Sequence, residues 1–370
     1  MCMLYMSCAC SCMFMFMFMY VYSQVLSWQD HPTNPAPSRR TAFTRVGASS
    51  WLCPSEARGR PCSLGKCATR VADYVKTPGA VASVVAVAGG MRVLVTGATR
   101  GLGRAIAQAI AARDGEHVIY LGCRDMRTGT ALAAALSCST VQVVPFEVDV
   151  TKSATVAAAA LAIAACSAGS PLDALVNNAG VMLERDGCDL ASIVEPTLSI
   201  NLDGVIAATE SFMPLLREGG RIINVSSGAG TRATASLGDS SRAALDAADV
   251  QTLRATVRQL AQAAAALPRE PGDTPIYGLS KAGVNFYTRL VAREAPGLLV
   301  NACSPGFCRT EIAGPDVVYT REPKDVALGA DVVVKLLFGE LGSGTGLFYK
   351  ECSKPGTTLE AARSAAEPWW

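Results

Sequence analysis

Histidine is almost absent from this 370-residue chain: His31 and His117 are the only two, which excludes a multi-histidine metal site. Charge is sparse, at 17% of residues, and 33 Lys and Arg nearly cancel 31 Asp and Glu, so nothing calls for a nucleic-acid partner. The fourteen cysteines contain no CxxC pair, and those beyond residue 90 are scattered through apolar segments. This predicts reduced, partly buried thiols rather than a disulfide framework or a zinc site. Half of the residues are hydrophobic, enough for a sizeable core in two units or in one large α/β domain with an extension.

Composition changes abruptly near residue 90. Residues 1–90 hold eight Lys and Arg against three acids, whereas 91–370 hold 25 against 28, and seven of the fourteen cysteines lie in the first part. The boundary predicts a domain over 91–370 and an unstructured extension over 1–90 that carries no chemistry. Residues 1–28 have no charged side chain, and 13–22 alternate Met with aromatics. That run is short of the about 20 apolar residues of a membrane span, and it lacks the basic start of a signal peptide. Residues 31–76 are acid-poor and contain Arg and Ser, in the manner of an organelle transit peptide, without an amphipathic helix. Three readings stand for the extension: targeting, membrane anchoring, or translation that begins at Met91.

From residue 91 onward, short apolar runs alternate with Ala-rich stretches, the pattern of βαβ units on a parallel sheet. Strands are expected at 91–97, 117–122, 141–150, 172–180, 220–227, 297–305 and 345–351. Helices are expected at 103–114, 126–136, 153–166, 190–217, 275–293 and 323–338, with Thr151 or Ser153 capping the third. Residues 228–274 read as an insertion with a helical middle. Seven parallel strands with helices on both faces make a Rossmann-like doubly wound α/β fold.

The segment VTGATRGLGRAIA places Gly97, Thr99, Arg100, Gly101, Leu102 and Gly103 between the first strand and its helix. Glycines there let the backbone approach a pyrophosphate, and the helix N-terminus supplies N–H donors and a positive dipole end. Twenty residues on, where a carboxylate would grip a ribose hydroxyl, stands Cys123, followed by Arg124. Arg100 and Arg124 suit a 2′-phosphate, which points to NADP(H), and Asp125 is placed to restrain Arg124. Tyr277 and Lys281 lie four apart on one helix face, where an ammonium would lower the pKa of the phenol and make proton exchange with a substrate oxygen feasible. NNAG (177–180) and NVSS (224–227) end strands, where ligands of such sheets sit, and Asn201 lies in the helix between them.

TGxxxGxG, NNAG, the helix asparagine, NVSS, YxxxK and SPG, in this order, resemble the short-chain dehydrogenases/reductases over essentially all of 91–370. The resemblance implies Ser227, with Ser226 as its less favoured neighbour, Tyr277, Lys281 and Asn201 as the catalytic group. Tyr277 would be the general acid/base, Lys281 would bind the nicotinamide ribose and lower the tyrosine pKa, and Asn201 would hold the water of a proton relay. Asp149 and Val150 would border the adenine, and Asn178, Ala179 and Gly180 would support the cofactor. Pro305, Gly306, Cys308 and Thr310 would border the nicotinamide. CRDMRTG, NACSPGFCRTEIAG and the fifty-residue gap from Ser227 to Tyr277 are similar to the NADPH-dependent carbonyl reductases, whose extra helix covers an oligomerisation surface. A cytoplasmic monomer that reduces a small ketone, aldehyde or quinone is thus implied, with Met182, Leu183 and Phe307 as an apolar substrate wall. Phe307 stands where those enzymes have tryptophan. A membrane-tethered retinol- or steroid-type dehydrogenase and a non-catalytic NADP(H)-binding regulator are the alternatives.

Overall fold

The computed structural model describes residues 90–167, 170–270, 272–313, 322–342 and 344–350, so the N-terminal extension and its three readings lie outside the described residues. In chain order the elements are β1 Arg92–Thr96, α1 Gly101–Ala111, β2 His117–Cys123, α2 Met126–Leu136, β3 Val141–Glu147, α3 Ser153–Cys166 and β4 Leu172–Asn177. They continue with α4 Leu190–Leu198, α5 Gly204–Phe212, β5 Leu216–Val225, α6 Gly228–Ser236, α7 Asp239–Ala247, α8 Val250–Ala265, α9 Pro275–Glu294, β6 Leu299–Cys303, α10 Val326–Phe338 and β7 Phe348–Tyr349. The seven strands form one parallel sheet in the order β3-β2-β1-β4-β5-β6-β7. The order reverses between β1 and β4, which opens a crevice at the carboxyl ends of the strands.

Both faces of this sheet are covered, so β1 and β2 are buried along their whole length, with apolar middles between the polar ends Arg92, Thr96 and His117. Successive side chains alternate between two cores. Leu94, Tyr120, Leu175 and Ile222 pack on the side of α3, α5 and α9. Val93, Val95, Ile119, Leu121, Val176 and Ile223 pack on the side of α1 and α10, against Ile106, Ile110, Val333 and Leu336. His117 opens β2 with Nδ1 accepting the Met91 N–H at 3.1 Å, and burial holds its pKa below the ordinary value. The six cysteines of the described residues carry no disulfide, and burial pushes the Cys123 and Cys166 thiols up to about 11.

Several boundaries differ from the sequence expectation, each for a local reason. The helix expected over 190–217 is interrupted: α4 runs into a π turn at Ser199–Asp203, α5 follows, and a 3-10 turn ends at Leu215. Strand β5 therefore begins at Leu216, which pairs with Leu172, before a register shift restores the pairing Ala174 to Arg221. Neither Thr151 nor Ser153 caps α3. Lys152 stands at the N-cap without a side-chain bond, while the Thr155 hydroxyl donates to the Lys152 and Asp149 carbonyls at 3.0 and 3.1 Å. Asp125 accepts the Arg127 N–H at 2.9 Å and the Thr128 hydroxyl at 2.5 Å, so it caps α2. This is its role in place of the expected restraint of Arg124.

The insertion is more structured than a helical middle implies, since it folds into α6, α7 and α8. α6 lies against α9 at a glycine contact: a Cβ at Gly230 would come within 2.7 Å of the Lys281 carbonyl carbon. α8 buries Leu253, Val257 and Ala261 and lies over α9, where a Cβ at Gly283 would meet Leu202 and Val257 at 3.1 Å. Arg254 pairs with Asp203 at 2.7 Å, and Arg258 pairs with Glu195 and Asp203 at 2.6 and 3.1 Å. The fold rests on the central strands. Leu94→Ala, at a fully buried position on β1, is expected to lower the unfolding free energy by about 2–5 kcal/mol in a urea melt, with an unchanged m-value.

Candidate active site

The loop between β1 and α1 is shaped by glycine where no other residue fits. Gly97 and Gly101 hold φ of 64° and 48°. A Cβ at Gly103 would lie 2.2 Å from the Gly97 carbonyl oxygen and 2.5 Å from Asn178 Nδ2. Asn178 Nδ2 donates to the Thr96 and Gly97 carbonyls at 2.9 and 3.2 Å, and the Thr96 hydroxyl accepts the N–H groups of Asn178 and Ala179 at 3.0 and 3.1 Å. The ends of β1 and β4 are thereby locked beside the crevice.

α1 starts without a side-chain cap, as α3 does. α2, α4, α8 and α10 are each capped by an aspartate, at 125, 189, 249 and 325, whereas α1 has Arg100 at its N-cap, no side-chain bond and no acid in its first turn. Its N–H donors are left to an anion, and the glycine cradle brings the backbone to it, so this end of the crevice fits a dinucleotide pyrophosphate. Arg100 and Arg124 are exposed, and Thr99 and Leu102 are half-buried. Asp149, beside buried Val150, accepts the Thr151 N–H and hydroxyl at 3.1 and 2.7 Å and pairs with Lys152 at 3.0 Å. Burial alone raises its pKa, but these partners hold it below the usual value. A Cβ at Gly101 would reach Thr310 and the Glu311 carboxylate at 3.4 Å, so the segment after β6 borders the same cradle.

The other residues converge at the ends of β4 and β5. Ser227 caps α6 by accepting the Ala229 N–H at 3.1 Å, and its hydroxyl also interacts with the Tyr277 phenol. Ser226 is turned away: it is buried and donates to the Lys281 carbonyl at 3.2 Å. Lys281 is buried, and its Nζ donates to the Val225 carbonyl at 2.8 Å and lies 5.9 Å from the Tyr277 ring centroid. Asn201 sits in the π turn, where its Nδ2 donates to the Val181 carbonyl and the Ser280 hydroxyl at 2.8 and 3.0 Å, and its Oδ1 accepts the Val181 N–H at 2.8 Å. Both amide donors are thus spent on the protein, and the side chain pins the loop after β4. A Cβ at Gly180 would approach Asn201 Oδ1 at 3.3 Å and Lys281 Nζ at 3.4 Å, so these groups face one point.

Burial lowers the Lys281 pKa to about 8, because desolvation penalises the ammonium. The phenol departs from expectation. Desolvation holds the Tyr277 pKa above its ordinary value; Ser227 opposes this and Glu184 adds to it. Burial dominates, and the Lys281 ammonium is engaged with the Val225 carbonyl rather than with the phenol.

Met182, Leu183 and Phe307 are half-buried in the loops after β4 and β6. Arg185 holds these loops together, donating to the Met182 carbonyl at 2.9 Å and the Ile312 carbonyl at 3.4 Å. Gly306 takes φ of 78°, and Cys308 Sγ donates to the Pro305 carbonyl at 3.3 Å. Two members of the site escaped the sequence reading. Ser304 Oγ accepts the N–H groups of Gly228 and Gly306 at 3.1 and 3.3 Å and joins the ends of β5 and β6, a role that its place in SPG hinted at. Glu184 accepts the Tyr277 N–H at 2.7 Å, and no spacing in the chain foretold it.

The sequence pattern of the short chain dehydrogenases matches residues 91–247. Short-chain dehydrogenase/reductase 1 of Saponaria officinalis is 30% identical over 289 residues, which cover 69% of this chain and 92% of that protein. The chain belongs to the short-chain dehydrogenase/reductase family. It is therefore an oxidoreductase. Carbonyl reductase [NADPH] 1 of Oryctolagus cuniculus is 28% identical over 254 residues, covering 66% of this chain and 89% of that relative. The solved structure of salutaridine reductase from Papaver somniferum matches with a TM-score of 0.56 at 26% identity, covering 70% of this chain and 99% of that one.

Two outcomes are expected of this short-chain dehydrogenase/reductase site. Because a lysine with a depressed folded-state pKa carries its full charge-burial penalty below about pH 8, Lys281→Met should be more stable than wild type at pH 7, by about 1–3 kcal/mol. That gain should shrink as the pH rises from about 8 toward 10.5, where the wild-type lysine is neutral in the folded chain. Thermal melts across this range check it. Gly103→Ala should forfeit nucleotide binding, read by calorimetry, because its methyl would collide with the Gly97 carbonyl.

Proposed function

We propose that this protein is an NADP(H)-dependent carbonyl reductase acting on a ketone, aldehyde or quinone. The observation that carries the reading is the meeting of the Ser227 hydroxyl, the Tyr277 phenol and the Lys281 amine at the strand ends, beside a glycine cradle with an uncapped helix. The relative named carbonyl reductase [NADPH] 1 supports both the cofactor and the reaction class.

Gly97, Gly101, Gly103 and the first N–H groups of α1 would hold the pyrophosphate, with Thr99 and Leu102 along the same loop. Arg100 and Arg124 would take the 2′-phosphate; Cys123 at the end of β2 is buried and neutral, so no carboxylate there repels it. Asp149 and Val150 would border the adenine. Asn178, Ala179 and Gly180 would line the middle of the cofactor, and Pro305, Gly306, Cys308 and Thr310 its nicotinamide end. When bound, NADPH supplies the hydride for the carbonyl carbon.

The chain supplies position and a proton. Ser227 hydrogen-bonds the carbonyl oxygen, and Tyr277 donates its hydroxyl proton to that oxygen as negative charge develops there. A phenol held above its ordinary pKa is protonated at neutral pH, which suits the reducing direction. Lys281 binds the nicotinamide ribose and favours the phenolate left behind. Asn201 holds the loop after β4 through Val181, and a relay water would rest on this π turn. Met182, Leu183 and Phe307 form an apolar wall for the substrate.

The functional unit is residues 91–370 with the insertion 228–274, preceded by an extension without catalytic residues. It works as a monomer, because α8 covers the outer faces of α4 and α9 through Leu253, Val257 and Ala261.

The test is oxidation of NADPH and NADH by the full-length chain with quinones, diketones and aromatic aldehydes. Turnover should prefer NADPH, and Tyr277→Phe should lower kcat/KM by about 10²–10⁴-fold with NADPH binding retained. Arg124→Asp should weaken NADPH binding by about ten- to a hundredfold, with little effect on NADH. Tight NADPH binding without reduction of any carbonyl would overturn the enzymatic reading in favour of a regulatory one.

A further inference from the structure

Glu184 is a buried acid for which the catalytic scheme above has no use. It is 4% exposed, in the loop after β4 between the substrate wall and Arg185. Its Oε1 accepts the main-chain N–H of Tyr277 at 2.7 Å, in the first turn of α9. Its Oε2 is buried with no hydrogen-bond partner. A buried carboxylate with half of its acceptor capacity unmet costs several kcal/mol, whereas a glutamine would accept the same N–H without a charge. The structural contact alone does not require an acid. What the acid adds is a negative charge beside the phenol-bearing turn.

The charged and titratable groups around this point come from every neighbouring element. Lys281 lies one turn along α9, with Cys303 of β6 in electrostatic reach of it. Ser227 faces the phenol from the end of β5. Arg269, from the end of the insertion, donates to the Arg185 carbonyl and attracts Glu184, and the Arg185 guanidinium donates to the Glu184 carbonyl. Arg269 also lies 3.8 Å from the exposed Asp186 carboxylate, and among these groups Glu184 is the acid that bears on the Tyr277 phenol.

We propose that Glu184 is a positioning residue for Tyr277: its carboxylate, by accepting the Tyr277 N–H at 2.7 Å, fixes the first turn of α9 and places a negative charge beside it that disfavours the phenolate. This rests on Tyr277 being the general acid. The sign is consistent on both partners. Glu184 helps to raise the Tyr277 pKa, and burial raises that of Glu184 itself, opposed by the Tyr277 N–H and by Arg269.

The direct test titrates the Tyr277 phenol by tyrosinate absorbance in the full-length chain without cofactor, as the difference from the same protein carrying Tyr277→Phe. Glu184→Gln, which keeps the acceptor and removes the charge, should ionise the phenol about half to one pH unit lower than wild type. The alkaline limb of NADPH-driven reduction should move down with it, while Glu184→Asp, which keeps the charge, leaves the limb in place. Should Glu184→Gln not fold, Glu184→Ser carries the same expectation, since it too removes the charge without adding bulk. A phenol that titrates as in wild type, or higher, once the charge is gone would overturn the proposal. A fully active Tyr277→Phe would instead overturn the acid assignment on which it rests, whatever the titration shows.

Discussion

The site depends on one buried contact, the hydrogen bond from Lys281 Nζ to the Val225 carbonyl at 2.8 Å. It ties the middle of α9 to the last residue of β5, two residues before Ser227. Burying the amine is costly, as its pKa of about 8 records, and a single carbonyl offsets only part of that cost. The rest of the fold holds the lysine there. Gly230 lets α6 lie against the Lys281 backbone, and Gly180 leaves room for the lysine and Asn201 to face the same point. Side chains at these two glycines would press on the lysine from two directions. Their absence from the sequence is as much a part of the site as the lysine itself.

The cradle at the other end of the crevice follows the opposite logic, in that donors are left unsatisfied by design of the loop. Four helices of this sheet spend an aspartate on their first N–H groups; α1, like α3, spends none, and at α1 the glycine cradle lies beside those free donors. An acid at Arg100 would stabilise the helix by about 1 kcal/mol and would repel the phosphates that the cradle admits. The close approach of Gly97, Gly103 and Asn178 keeps the loop in that open form through main-chain geometry, independent of any ligand.

The insertion joins these parts to the substrate side. α8 is stapled over α4 and α9 by apolar contacts and by the Arg254 and Arg258 ion pairs to Asp203 and Glu195. Its far end brings Arg269 to the Arg185 loop, where Met182, Leu183 and Glu184 stand. The insertion therefore reaches the loop that carries Glu184, whose carboxylate accepts the Tyr277 N–H. The π turn has a comparable effect, because it aims the Asn201 amide at Val181 rather than along the helix.

The sequence by itself determined the doubly wound fold, because parallel strands buried on both faces must be continuous apolar runs and the helices between them must be amphipathic or Ala-rich. It also pointed to the glycine cradle and to the Tyr277 and Lys281 pair, because local spacing on one loop and one helix turn is enough to read them, whereas Ser227 entered only through the resemblance of NVSS to the family pattern. Helix interruptions were less legible: the π turn at Ser199–Asp203 follows from side-chain bonds to Val181 and Ser280, which lie 20 and 79 residues from Asn201. The early start of β5 likewise depends on a partner distant in the chain, Leu172. Only the tertiary structure decided the direction of the Tyr277 pKa, since charge attraction is visible in a YxxxK spacing but desolvation is not. It alone brought Glu184 to the Tyr277 N–H across 93 residues, for a contact between a loop and a helix start leaves no period in the sequence from which to infer it.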